Sequence, residues 1–374
     1  VPERALEGLR VIEVAALVSA PLCSRLLADY GADVVKVEPP GGDPLRALDG
    51  DWFAGLNTNK RSLVADLETA EGRAILAALL EDADVLVCDR MGDDAVPVEE
   101  VLDGAGAKLV KTWITPFGRT GPHAEWLGGD LVTAAAGGLT HITGDADREP
   151  LVPGGHQVLH LSGLAAFSAT LIAVWHARRT GEGQEVDVSM QEVAGIALEC
   201  VVTPQQMADR VRTRMGTHHP AVHGVGMQHL ADGRWLFVGT LPQLRMWQTV
   251  VELMGEPEWS LDEKWHDPRL RRVHADEIDA LAATTFAAMA TADIYPQMKA
   301  GRVPVGLVRQ IEDLLAADSQ LVAREFFPPP PSEGDARVYP GAPWRMSATP
   351  WELRSPAPEL GSTTFEQPTM EEQR

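Results

Sequence analysis

Through the first half of the chain, short apolar runs rich in β-branched residues alternate with longer stretches of helical spacing. Leu9 to Val14 reads as a strand, Ala20 to Tyr30 as a helix, and Val34 to Val37, reached after Gly31, as a second strand. Strand, helix and strand within about thirty residues form a βαβ unit, which predicts a parallel sheet with right-handed crossovers. The alternation continues with a strand at Leu63 to Asp66, a helix at Thr69 to Glu81, and strands at Asp84 to Cys88 and Lys108 to Ile114. Leu161 to Arg179 is a long, largely apolar helical stretch. It closes at Thr180-Gly181-Glu182-Gly183-Gln184, before a strand at Glu185 to Val188. The fold class is α/β.

The pattern loosens between Val201 and Gly226, where Gly216, His218, His219, Pro220, His223 and Gly224 fall with little periodicity. This reads as a linker into a second domain. Alternating strands then surround the turn Ala231-Asp232-Gly233 within Gln228 to Thr240. Helices follow at Gln243 to Met254 and Asp276 to Ala290, then a strand at Gly301 to Val308 and a helix at Ile311 to Ala317. Phe327 to Glu333 contains four consecutive prolines and is an extended connection. Glu352 to Arg374, rich in Pro, Ser and Glu, is expected to wrap a partner surface or to fray.

Charge narrows the function. The 374 residues carry a formal net charge of −22, a field that repels nucleic acid and anionic membrane surfaces. No uninterrupted run of about eighteen apolar residues suggests a membrane span, and the N-terminus lacks a signal-peptide layout. Cys23, Cys88 and Cys200 stand far apart in apolar surroundings, as in a protein of the reducing cytoplasm. A phosphate-bearing ligand would need a local basic patch to oppose the global charge. Asn59-Lys60-Arg61-Ser62, with Lys36 and Arg73, is the candidate. The first βα turn, Ala15 to Pro21, has no GxGxxG, which disfavours an ordinary nicotinamide or flavin site. There is neither a P-loop nor a Gly-x-Ser-x-Gly elbow.

The histidines leave alternatives open. His218, His219 and His223 lie together, but zinc needs three or four ligands with cysteine or carboxylate help, and none is suitably spaced. No metal is expected. His156 and His160, at the entry to the long apolar helix, are candidate general bases or simply polar contacts. The glycines Gly154 and Gly155 place the helix start after them.

Taken in order, these segments resemble the class III (CaiB/BaiF-type) coenzyme A transferases. The opening Leu6 to Leu17 with Pro21, Leu26 to Glu38, and Gly41-Gly42-Asp43 match the family's first βαβ unit. Asn59-Lys60-Arg61-Ser62 with Asp66-Leu67 and Glu71-Gly72, Phe117 to Pro122, and Gly129-Asp130-Leu131 follow. So do Thr180 to Gln184, Asp187-Val188-Ser189, Gly301 to Val305, Trp344 to Ser347 and Thr349-Pro350.

The resemblance implies a large domain with a Rossmann-like parallel sheet built from both chain ends (residues 1–205 and 319–374). It implies a smaller inserted α/β domain (227–318) after a linker (206–226), and two interlocked chains. It also implies coenzyme A or an acyl-CoA as substrate, held near Val18, Lys36, Lys60, Arg61 and Met190. In the family an aspartate attacks the thioester, forms a mixed anhydride and then carries CoA as an aspartyl thioester. Counting back from Thr180, with Gly163 matching a family glycine, that position is Leu159. Leucine can neither attack a thioester nor hold CoA.

Two further departures stand out. The related racemases carry a histidine where this chain has Gly129, and the CoA-holding stretch Glu-Asn-Phe-Arg-Pro-Gly has become Cys88 to Asp93. Three readings follow. The chain is the aspartate-lacking subunit of a heteromeric CoA transferase, paired with an aspartate-bearing homologue, or acts by an altered route as a homodimer. Alternatively it is an acyl-CoA lyase, hydrolase or isomerase using His156 or His160. Or it is a non-catalytic binding or regulatory subunit.

Overall fold

The alternation of strand and helix folds into one parallel sheet. The computed structural model describes residues 3–198, 206–207, 213–217, 225–239 and 244–364. In chain order the first part contains β1 (Arg10–Val14), α1 (Ser19–Asp29), β2 (Asp33–Glu38), α2 (Pro44–Leu48), α3 (Gly50–Leu56) and β3 (Arg61–Val64). Then come α4 (Ala70–Glu81), β4 (Val85–Cys88), α5 (Val96–Glu99), β5 (Val110–Thr115), α6 (Asp130–Ala136), α7 (Gln157–Thr180), β6 (Glu185–Ser189) and α8 (Met190–Ile196). The strand order is β3-β2-β1-β4-β5-β6, and each neighbouring pair is parallel. The order in which strands are added reverses between β1 and β4, the switch point where open α/β sheets leave a crevice at the carboxyl ends of their strands.

Two compact units emerge. The first joins Val1–His141, Val152–Arg212 and Ser319–Arg374, so both chain ends contribute to it. The second joins Ile142–Leu151 to Thr213–Asp318. It holds the antiparallel strands β7 (Met227–His229), β8 (Trp235–Val238) and β9 (Val305–Leu307). Its helices are α9 (Leu244–Leu253), α10 (Pro268–Val273), α11 (Ala275–Phe286), α12 (Thr291–Ala300) and α13 (Ile311–Ala317). Trp247, Trp265, Phe286 and Met298 lie in the core of this unit. Ile142–Leu151, read from sequence as part of the large domain, clusters with the second unit instead. The Gly216 N–H donates to the Gly144 carbonyl at 2.9 Å, a contact distant in sequence that no local pattern signals. The histidines His218, His219 and His223 lie outside the described residues.

In the first unit, α7 is the central helix. It packs against α1 and β5, and contributes Val158, Ala166, Phe167, Ala173, Val174 and Ala177 to the core. Gly163 sets the approach: a Cβ there would lie 2.7 Å from the Ser19 carbonyl oxygen and 3.0 Å from Leu22 Cβ. The first turns of α1 and α7 are therefore held side by side. By length and composition alone α7 could cross a membrane, but here one of its faces is core. The other exposes Ile172 and Trp175.

Helix α7 begins four residues before the expected Leu161. His156 takes a left-handed conformation (φ 51°) and turns the chain into the helix without capping it. The cap comes from Asp130, 28 residues away, whose Oδ1 accepts from the Val158 N–H at 2.9 Å and the Leu159 N–H at 3.2 Å. A helix start is usually read from a Ser, Thr, Asp or Asn beside it. This one is invisible to that rule.

Over its described residues, the returning segment after Glu352 straps the first unit. The Glu352 N–H donates to the Asp29 carbonyl at 3.0 Å, and Asn59 Oδ1 accepts from the Arg354 and Ser355 N–H groups at 2.7 and 3.0 Å. The Thr363 N–H closes the strap on the Ser62 carbonyl at 2.8 Å.

Candidate functional site

Beneath the switch point lies a buried set of charges. Glu13 on β1 pairs in register with Lys36 on β2. Its carboxylate accepts from Lys36 Nζ at 2.6 Å and from Lys60 Nζ at 2.8 Å. Asp43 lies 2.7 Å from Lys36, and no side chain of these four acids and bases sits at the surface. Two positive and two negative charges thus cancel inside the protein. Burial alone would push the Glu13 carboxyl up, but Lys36 and Lys60 outweigh it and hold the pKa at about 2. Lys60 moves the other way: burial dominates and brings its ammonium down to about 8, against the pull of Glu13.

These contacts have a positional consequence. Lys36 Nζ also donates to the Ala15 carbonyl at 2.9 Å, and Lys60 Nζ to the Pro21 carbonyl at 2.8 Å. Both ends of the β1–α1 turn are fixed from below. From the β4 side the Ala16 N–H donates to Asp89, with both carboxylate oxygens at 3.1 Å. Burial raises the Asp89 carboxyl to about 7 despite that hydrogen bond.

The basic patch expected at Lys36, Lys60, Arg61 and Arg73 is therefore not a set of free cations. Lys36 and Lys60 are consumed by Glu13 and Asp43. Arg61, half-exposed, forms a two-pronged pair with Asp33 at 2.9 and 2.6 Å. Arg73 pairs with Glu100 at 3.3 Å and donates to the Leu67 carbonyl. A chain with so many carboxylates uses these cations to neutralise its own acids. The Asn59-Lys60-Arg61-Ser62 motif serves architecture: Asn59 clasps the C-terminal strap, and Ser62 Oγ donates to Glu38 and accepts from the Gly361 N–H. Met190, at the start of α8, is likewise buried in the core.

Leu159 sits in the first turn of α7, one turn before the close approach at Gly163. With Trp52 and Leu22 it packs, partly buried, on the buried cluster of Val18, Leu45, Phe53 and Leu56. Val18 immediately precedes α1. The His156 ring lies 4.8 Å from the Trp52 ring at an interplanar angle of 33°. His160 Nδ1 is 2.9 Å from the His156 carbonyl, one turn back along its own helix. Neither histidine forms an ion pair among the described residues. The structure thus brings Val18, Leu159 and His156 together and leaves Lys36 and Lys60 underneath. Sequence reading missed Trp52, Glu13 and Asp89. Trp52 belongs to a short helix with no period to read, and the acids look unremarkable until strand register places them.

No group of three or more His, Cys, Asp or Glu residues is arranged to hold a metal among the described residues.

Comparison with known proteins agrees with this architecture. The model of CoA-transferase family III matches residues 6–364. Succinate–glutarate CoA-transferase of Agrobacterium fabrum is 32% identical over 376 residues, covering 95% of this chain and 93% of that protein. Succinyl-CoA:(R)-benzylsuccinate CoA-transferase subunit BbsE of Thauera aromatica is also 32% identical, over 383 residues, covering 92% of this chain and 89% of that protein. The crystal structure of a CaiB/BaiF family protein from Brucella suis superposes with a TM-score of 0.87 at 27% identity, covering 96% of this chain and 97% of that one. By sequence and by fold, the chain belongs to CoA-transferase family III.

Proposed function

We propose that this chain is the aspartate-lacking subunit of a heteromeric CoA transferase. It would bind an acyl-CoA thioester while a homologous chain supplies the attacking carboxylate. The observation that carries the reading is the side chain at the first turn of α7. Leu159, which the sequence resemblance assigns to the position of the family aspartate, packs in an apolar cluster with Val18, Leu22 and Trp52. A leucine offers no lone pair to a thioester carbonyl, so no acyl intermediate can form on it. Asp130, the acid that touches this turn, is committed to the Val158 and Leu159 N–H groups.

Two further facts support a paired assembly. A relative of similar length, BbsE, is named as a transferase subunit. The outer face of α7, with Ile172 71% and Trp175 66% exposed, leaves large apolar side chains for another chain to cover.

The test is CoA exchange between an acyl-CoA donor and a carboxylic acid acceptor. The purified chain alone should show none, and addition of an aspartate-bearing homologue that copurifies with it from its own cells should restore it. Exchange by this chain alone would remove the proposal. The histidine-based alternative is less favoured, because His160 is turned to its own backbone and the His156 ring lies tilted against Trp52. Turnover of an acyl-CoA that disappears in His156→Ala or His160→Ala would reinstate it.

A further inference from the structure

The same turn suggests which acyl group the chain accepts, an inference that rests on the CoA-thioester reading above. Leu159 and Trp52 are buried on one side only: behind them stand Val18, Leu45, Phe53 and Leu56, and part of each remains open to solvent. Replacing a carboxylate by leucine here does more than delete a nucleophile. It joins Trp52 and Leu22 into a continuous apolar surface where a polar group would have interrupted it.

Backbone strain marks the rim of this surface. Leu17, next to Val18, is left-handed (φ 62°) and 47% exposed. His156 is left-handed too (φ 51°), exposed, with its ring tilted against Trp52. Left-handed backbone costs a residue with a Cβ about 1–2 kcal/mol, and a bulky leucine is an outlier there. Leu17 leaves its side chain half in water, and His156 leaves the capping of α7 to Asp130. Strain kept at two positions bordering one apolar surface is the pattern of a binding site whose contacts are completed by a ligand.

We propose that Leu159, Trp52 and Val18, with Leu17 and His156 at the rim, form the subsite for an apolar acyl group, alkyl or aryl. Leu159 and Trp52 would then determine specificity. An acyl chain ending in a carboxylate would be disfavoured, since its charge would lose water without gaining a partner on this surface.

The experiment uses CoA thioethers, which cannot undergo transfer. S-butyl-CoA, S-hexyl-CoA and S-(3-carboxypropyl)-CoA are titrated, alongside CoA itself, into the protein in the assembly in which it is isolated. Burial of each added methylene should tighten binding about fourfold. S-hexyl-CoA should therefore bind about tenfold or more tighter than S-butyl-CoA, and the carboxypropyl compound more weakly than either. Leu159→Asp and Trp52→Ala should each collapse that preference while leaving affinity for CoA itself unchanged. Circular dichroism checks that both variants remain folded. If all three thioethers bind equally and Leu159→Asp changes none of them, the acyl subsite is wrong while the CoA reading survives. If neither CoA nor any thioether binds, the proposed function fails and takes this inference with it.

Discussion

Glu13→Gln isolates the buried charges beneath the β1–α1 turn. The substitution preserves shape and removes one negative charge. Lys36 would keep Asp43 at 2.7 Å, whereas Lys60 would retain only the Pro21 carbonyl at 2.8 Å and Asn57 Oδ1 at 2.9 Å. Removing one partner of a buried ion pair typically costs about 3–5 kcal/mol, because the remaining charge is left without compensation. Set against a total stability of about 5–15 kcal/mol, that is a substantial share.

The loss should carry a pH signature. With Glu13 in place, Lys60 holds its proton up to about pH 8, below its ordinary 10.5. A group whose folded pKa is depressed binds fewer protons folded than unfolded above that pKa, so stability rises with pH from the folded value towards the unfolded one. Without Glu13 the Lys60 pKa falls further and the rise begins lower. Between pH 7 and 8 the variant should gain up to about 1.4 kcal/mol from this lysine while the parent gains little. Urea denaturation followed by far-UV circular dichroism and tryptophan fluorescence at pH 7, 8 and 9 measures both quantities. A loss below about 1 kcal/mol at pH 7, or parallel pH profiles for parent and variant, would refute the compensation argument.

Two further predictions address the same region. Asp89→Asn keeps an acceptor for the Ala16 N–H but removes the charge whose folded pKa is raised from 3.8 to about 7. The ionised carboxylate penalises folding above pH 4 and most fully above pH 7, so the variant should match the parent at pH 4 and exceed it at pH 8. The shift corresponds to about 4 kcal/mol as a ceiling, reduced because part of Asp89 still reaches solvent. A variant no more stable at pH 8 would contradict this. Gly163→Ala would place a methyl group 2.7 Å from the Ser19 carbonyl and force α1 and α7 apart. It should cost about 1–3 kcal/mol by overpacking, measured as a lowered melting temperature, and an unchanged Tm would argue against the close approach.

The α/β alternation was legible because strands and helices write their periods locally. Predicted β1, β2, β4, β5 and β6 overlap the observed strands, and Ile311–Ala317 matches its helix at both ends. Helix α12 was not legible, since Pro296 inside it breaks the local rule. The candidate site was legible only in part. Motif order located Leu159, but its neighbours Val18 and Leu22, at the start of α1, and Trp52, in α3, come from two other stretches that only the packing of α1, α3 and α7 brings together. The basic turn at Lys60 and Arg61 misled for a related reason. A sequence displays a cation's charge but not its partner, and Glu13 and Asp33 become partners only through sheet register.

Local covalent chemistry thus set the fold class, the family and the leucine at position 159. Tertiary structure decided what those residues face. It cancelled Lys36 and Lys60 against buried acids, made Asp130 the cap of a helix 28 residues away, and turned Leu159 and Trp52 into one apolar surface. The division follows from range. Backbone preference and hydrophobic period act between residues a few positions apart, whereas desolvation, charge compensation and close packing depend on which distant segments the fold sets side by side.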